Sequence, residues 1–201
     1  MMQELGQAIA MVAVPTAIGN FGFRGFRSGN ADFNETVLGL AYGKKLAENF
    51  NAGIQFNYFS RTVASYGKES AVNAELGFLF NISGNLKAGI HIYNPTGVSV
   101  GKTSERLASV FTVGLGYAPS KKLFFAADIR KVEDQPVSVH SGFHYYLMDR
   151  VRISAGLASA VSSFYFGIGF HLKNLKATAI SAHHNILGWS PGMAISYHQY
   201  Q

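Results

Sequence analysis

Serine, histidine and acidic side chains in the second half of the sequence are the first candidates for chemistry. Ser138 and His140 stand two residues apart, and Asp128 lies shortly before them. A serine activated by a histidine that a carboxylate orients is the arrangement used in acyl transfer, as in a lipase. However, the sequence has no Gly-x-Ser-x-Gly motif and no Ser/His/Asn spacing typical of a hydrolase. We therefore predict no catalytic residue, and a protein that is not an enzyme.

The seven histidines also raise the question of a metal site. His140 and His144 are four residues apart on a predicted strand, which separates them by about 13 Å at roughly 3.3 Å per residue. His183 and His184 are adjacent, so on a strand they point to opposite faces. Cysteine is absent and acids are few. The sequence predicts neither a metal site nor a cofactor.

The segment 97–104, GVSVGKTS, has the composition of a phosphate-binding loop. That motif needs four residues between its first glycine and the Gly-Lys pair, followed by a helix. Only three residues separate Gly97 from Gly101, and strands flank the segment on both sides. We expect a solvated loop here.

Strict alternation of apolar and small or polar residues is the strongest pattern in the chain, and it predicts strands. One face of these strands carries aliphatic and aromatic side chains, and the other carries Gly, Ser, His, Arg and Asp. This is the pattern of a β-barrel with lipid outside and a polar lumen inside. The following side chains are expected to face outward and to be accessible: Phe111, Val113, Leu115, Phe125, Ile129, Phe143, Tyr145, Phe166 and Ile168.

Composition supports a membrane environment over an aqueous one. Only 14% of the 201 residues are charged, whereas an ordinary domain has about a quarter. No run approaches eighteen apolar residues, so no transmembrane helix is predicted. The formal charge of +6 comes without a Lys/Arg run, which argues against nucleic acid as a partner. A soluble β-barrel or β-sandwich carrier, or a structural protein, remains the alternative, but the surface of such a soluble protein should be more charged.

We predict an all-β, antiparallel up-and-down transmembrane β-barrel of 12–14 strands. Short polar connections alternate with longer ones, as expected for the two ends of such a barrel. The alternation gives thirteen coarse strands: 6–14, 18–26, 35–44, 49–60, 69–82, 85–94, 107–118, 122–131, 136–147, 150–158, 163–172, 175–184 and 191–200.

Two segments carry a resemblance to a known family. They are ETVLGLAYGKKLAENFNAGIQFNYFSRTV at 35–63 and HHNILGWSPGMAISYHQYQ at 183–201. Both resemble outer-membrane barrels of the fatty-acid-transporter-like (FadL-like) group, closest to the PorV/PorQ type associated with type IX secretion. The resemblance covers roughly residues 18 to 200. It implies a bacterial outer-membrane protein that either passes hydrophobic or amphipathic small molecules or serves as a docking component in secretion.

Members of that family have a signal peptide and an N-terminal hatch that plugs the barrel. The N-terminus here, MMQELGQAIAMVAVP, has no basic segment typical of a signal peptide. We therefore expect residues 1–17 to be an incomplete strand or plug remnant, residues 18–201 to form the barrel, and the hatch to be missing.

Cations outnumber acids on the polar side of the predicted strands. Unpaired cations in a barrel need water, a plug or an anionic ligand. We expect a hydrated lumen that seats a plug, or a path for an amphipathic anion such as a fatty acid. Besides that anion, the expected partners are the lipid bilayer and secretion-system proteins. The candidate ligand-binding residues are Arg130, Arg152, Lys173, Lys176, His140, His144 and His171.

Overall fold

The structure, a computed structural model, describes residues 6–101, 105–160, 163–184 and 188–198. Within these residues thirteen strands form one antiparallel sheet, and each strand neighbours those that precede and follow it in the chain. The strands are β1 (Gly6–Thr16), β2 (Gly19–Gly29), β3 (Phe33–Ala47), β4 (Phe50–Val63), β5 (Gly67–Asn81), β6 (Leu86–Tyr93), β7 (Val110–Ser120), β8 (Leu123–Val132), β9 (Ser138–Met148), β10 (Val151–Ala158), β11 (Ser163–Leu172), β12 (Leu175–His184) and β13 (Gly188–Tyr197).

Each predicted strand has a counterpart in the structure, and most ends agree within a few residues. The predicted N-terminal segment contains β1, whose eleven residues all pair with β2. No helix among the described residues is long and apolar enough to cross a membrane.

The two faces of the strands differ as the alternation predicts. Every side chain that we expected to face outward is exposed, from 37% for Tyr145 to 56% for Phe166. We call the side that bears them the apolar face. The opposite side of the same strands, with residues such as His140, His144 and Arg152, is the polar face.

The chain divides into two compact units. The first contains Met1–Phe80, Gly89–Phe111 and Val132–Asp134, and the second contains Asn81–Ala88, Thr112–Lys131 and Gln135–Gln201.

The first unit buries part of the connection between β6 and β7. Val100 and Leu107 of this connection pack against Phe59 of β4 and Ala71 of β5. Asn94 begins the connection with a φ of 48°, and its side chain donates to the Leu107 carbonyl and accepts from the Val98 amide.

This packing corrects two sequence predictions. The segment 97–104 is not simply a solvated loop, because Val100 is fully buried; residues 102–104 lie outside the described part. The strand predicted over 107–118 begins later than expected: β7 starts at Val110, and Leu107 is only 9% exposed.

Candidate functional site

The polar face of the second unit brings together several of the predicted ligand-binding residues. Arg152 of β10 has Gly169 of β11 as its register partner, and its Nη2 donates to Thr178 Oγ1 at 3.4 Å. Its Nε is buried and has no hydrogen-bond partner among the described residues. A buried guanidinium N–H without an acceptor is costly, so Arg152 is an incompletely paired cation on this face, and an anionic ligand would have to meet its guanidinium where the group is accessible.

Aromatic and imidazole rings form a continuous row beside Arg152. His144 stacks on Phe124 with ring centroids 5.0 Å apart and meets the edge of Tyr146 at 5.6 Å. Tyr146 then meets His171 at 5.4 Å. The row combines flat apolar surface with polar ring edges, which suits an amphipathic molecule.

The predicted lysines are not placed alike. Lys176 of β12 is the register partner of His171, so it belongs to the polar face near the row. The sequence predicts that Lys173 also lies on the polar face. In the structure it is exposed in the turn between β11 and β12, with a φ of 52°. The chain must reverse there, so Lys173 leaves the regular alternation of the strand.

The remaining two predicted residues, Arg130 and His140, lie at another part of the polar face. Arg130 of β8 is the register partner of Ser138 in β9, and Asp128 is the partner of His140. His140 Nδ1 lies 2.7 Å from Asp128 Oδ1, and its Nε2 lies 2.9 Å from Ser138 Oγ. The sequence contained this trio but no motif that marked it.

Arg130, Arg152, Lys173 and Lys176 make no ion pair with a carboxylate among the described residues, in contrast to the charges of the first unit. Glu75 of β5 lies 3.9 Å from Arg24 and 2.8 Å from His91 Nε2. Arg61 of β4 binds both Glu35, at 2.9 Å, and Glu105, at 2.6 Å.

A buried polar network in the first unit contains none of the predicted site residues. Asn57 is fully buried and donates to Asn73 Oδ1 at 2.9 Å and to Glu75 Oε1 at 2.8 Å. Gln55 donates to Asn57 Oδ1 at 2.6 Å, and Asn73 donates to the Tyr93 hydroxyl at 2.9 Å. Gln55 and Asn57 stand two residues apart on β4, as do Asn73 and Glu75 on β5, and this spacing was the available signal.

Gly39 of β3 lets this network approach the backbone. A Cβ at this position would lie 2.6 Å from Asn57 Oδ1 and 2.7 Å from Gln55 Nε2. The polar side chains of this network hydrogen-bond to one another, so we assign the network a structural role in the first unit and not a ligand-binding one.

The second unit also contains an apolar cavity of about 560 Å³. Most of its lining comes from the apolar face, including Leu115, Phe125, Phe143, Leu157 and Phe164. Its volume falls within the range of small-molecule pockets, and its lining suits a hydrophobic molecule. Among the described residues, no group of three or more His, Cys, Asp or Glu side chains could hold a metal ion.

Comparison with known proteins identifies the fold. The CymD monoaromatic hydrocarbon channel is similar with a TM-score of 0.65 and 10% identity, over 98% of this chain and 87% of that one. The Pseudomonas putida toluene transporter TodX is similar with a TM-score of 0.61 and 9% identity, over 96% of this chain and 85% of that one. No protein-family model and no curated protein matches the sequence.

At this level of identity the likeness establishes the fold alone. The predicted all-β, antiparallel up-and-down fold class is confirmed. The FadL-like part of the sequence resemblance is supported at the level of fold, whereas its PorV/PorQ part stays a prediction.

Proposed function

We propose that this chain resides in the bacterial outer membrane and provides a passage for small hydrophobic or amphipathic molecules. The observation that carries the proposal is the exposed apolar face on a fold shared with two hydrocarbon transport proteins. In water, a face with Phe111, Phe166 and Ile168 about half exposed is unfavourable, since each such side chain gains roughly 1.5–3 kcal/mol on burial. A bilayer removes that penalty.

The class of molecule follows from the two similar proteins and from the polar face of the second unit. The apolar cavity lies on the face that the bilayer covers, where lipid acyl chains would fill it, so the proposal of a hydrocarbon solute rests on the likeness to a monoaromatic hydrocarbon channel and a toluene transporter. The row of Phe124, His144, Tyr146 and His171 beside Arg152 adds a place for a polar or anionic end. We therefore propose both neutral hydrocarbons and amphipathic anions such as fatty acids as solutes.

Uptake by intact cells tests the proposal. Gram-negative cells that express the full chain in their outer membrane should take up radiolabelled toluene and a fluorescent fatty acid faster than cells with an empty vector. A polar solute of similar size, such as a monosaccharide, serves as the control for leakage. Membrane fractionation must first show the chain in the outer membrane. Correct location with unchanged uptake of both solutes would contradict passage and would leave the docking role in secretion that the sequence resemblance implies.

A further inference from the structure

We propose that Ser138, His140 and Asp128 form an acyl-transfer site that hydrolyses small uncharged esters. The site is distinct from the passage function and lies wholly within the second unit. It also departs from the sequence prediction that no residue is catalytic, because the sequence alone does not show that β8 and β9 place the three side chains together.

The register of the two strands creates the geometry. Asp128 and His140 are cross-strand partners, so their side chains lie on the same face of the sheet. Ser138 precedes His140 by two residues on β9 and shares that face. The resulting contacts are 2.7 Å from Asp128 Oδ1 to His140 Nδ1 and 2.9 Å from His140 Nε2 to Ser138 Oγ.

Hydrogen-bonding chemistry fixes the direction of these contacts. An ionised carboxylate only accepts hydrogen bonds, so Nδ1 of His140 must donate its proton to Asp128. A neutral imidazole then has its lone pair on Nε2. That nitrogen accepts a hydrogen bond from the Ser138 hydroxyl, which is the orientation in which histidine can act as a general base towards serine.

Access and space are compatible with a small substrate. Ser138 is 7% exposed, but the side chains of His140 and Asp128 are 29% and 35% exposed, so the cluster opens on one side. The next residue of β9 on the polar face after His140 is Gly142, whose register partner in β8 is Ala126. The space beside Gly142 is filled, because an added Cβ there would clash with the Tyr165 hydroxyl, whereas Ala126 is exposed. A short acyl chain therefore has room only on the Ala126 side of the cluster.

Arg130 supplies the charge that the reaction requires. It is the register partner of Ser138, so both side chains project from the same face, with Cβ atoms about 5 Å apart. Arg130 has no carboxylate partner among the described residues. A guanidinium in this position can stabilise the negative oxygen that develops when serine attacks a carbonyl.

The reaction balances without any additional reagent. Ser138 Oγ bonds to the ester carbonyl carbon as its proton moves to His140 Nε2, and the alkoxide leaves with that proton as an alcohol. Water then attacks the acyl-serine ester and gives its proton to Nε2. When the carbon–Oγ bond breaks, Ser138 recovers the proton and a carboxylic acid is released.

A hydrogen-bond relay with a purely structural role would show the same distances as an acyl-transfer site. The reactivity of the Ser138 hydroxyl distinguishes these two roles. An ordinary serine hydroxyl does not react with a fluorophosphonate, whereas a serine activated by histidine does. The full chain, purified in detergent, should be covalently labelled by fluorophosphonate–rhodamine, and mass spectrometry should place the adduct on Ser138. It should also hydrolyse p-nitrophenyl butyrate.

Variants of residues on β8 and β9 distinguish the roles of the nucleophile, the general base and the cation. Ser138→Ala should abolish labelling and turnover, and His140→Gln should lower turnover by about 10²-fold or more, a typical contribution of a general base. Arg130→Ala should lower kcat more than it raises KM. Ser141→Ala, on the same strand but on the apolar face, is the matched control and should leave both readouts unchanged. Ser138→Cys keeps the side-chain size, so this variant should fold. Iodoacetamide should alkylate the new thiol, and the alkylation should require His140.

Absence of an adduct on Ser138 in the folded wild-type chain would overturn the proposal, as would turnover that survives Ser138→Ala. Because the labelling is done in detergent, it does not depend on passage through a membrane. A negative result would leave the proposed transport function intact, and a failure of uptake would leave this site intact.

Discussion

Phe166 and Gly167 are consecutive residues of β11 that lie in opposite environments. Phe166 is 56% exposed, whereas Gly167 is buried. A Cβ on Gly167 would lie 2.6 Å from Ser154 Oγ and 3.4 Å from the Ala179 carbonyl oxygen. One strand therefore presents a large apolar side chain on one face and close backbone packing on the other.

A charge on the apolar face should be costly if that face contacts lipid. We expect Phe166→Arg to lower the free energy of unfolding by about 2–4 kcal/mol if the position is near the bilayer midplane. His171→Arg, on the polar face of the same strand, should cost much less. Denaturant titration of chains refolded into lipid vesicles measures both, and equal penalties would show that the faces are assigned incorrectly.

The period of two was sufficient to predict the strands and their two faces, because each strand exposes one row of side chains to a different environment. It could not predict the folded connection between β6 and β7. Val100 follows no periodic pattern, and its burial depends on Phe59 and Ala71, which are distant in sequence. Likewise, the contact between Asp128 and His140 depends on strand register, which alternation alone does not determine.

The buried amide network should contribute to the stability of the first unit. Asn57→Ala removes the donor to Asn73 and Glu75 and leaves their oxygens without this partner. We expect a loss of about 1–3 kcal/mol in the free energy of unfolding. Asn51→Ala on the same strand, where no side-chain hydrogen bond to a described residue is lost, should change it by less than about 0.5 kcal/mol.

The connection between β6 and β7 should be held in place by its apolar side chains. Leu107→Ala removes a buried side chain that packs with Phe59 and Val100, which should cost about 2–5 kcal/mol. Limited proteolysis should then cut the connection faster than in the wild type. Leu115→Ala, at an exposed position of the apolar face, is the control. Unchanged cleavage in the Leu107 variant would contradict the packing.

The ligand role of Arg152 predicts selectivity for anions. Arg152→Ala removes a cation that has no carboxylate partner among the described residues, and it should weaken binding of a fluorescent fatty acid on the order of tenfold or more, the value of a charge-assisted hydrogen bond. Binding of an uncharged analogue, such as the methyl ester, should change little. Arg150→Ala removes the same charge from the exposed turn before β10 and serves as the control. An equal loss for acid and ester would show that Arg152 acts through folding.

Trp189 offers the most direct test of membrane residence through the apolar face. It is the only tryptophan of the chain, is 59% exposed, and packs against Phe164 at 5.7 Å and His183 at 5.0 Å. In chains refolded into vesicles, lipids brominated along the acyl chain should quench its fluorescence, and its emission should be blue-shifted. Strong quenching by aqueous iodide, with no effect of brominated lipid on a folded chain, would contradict the membrane account.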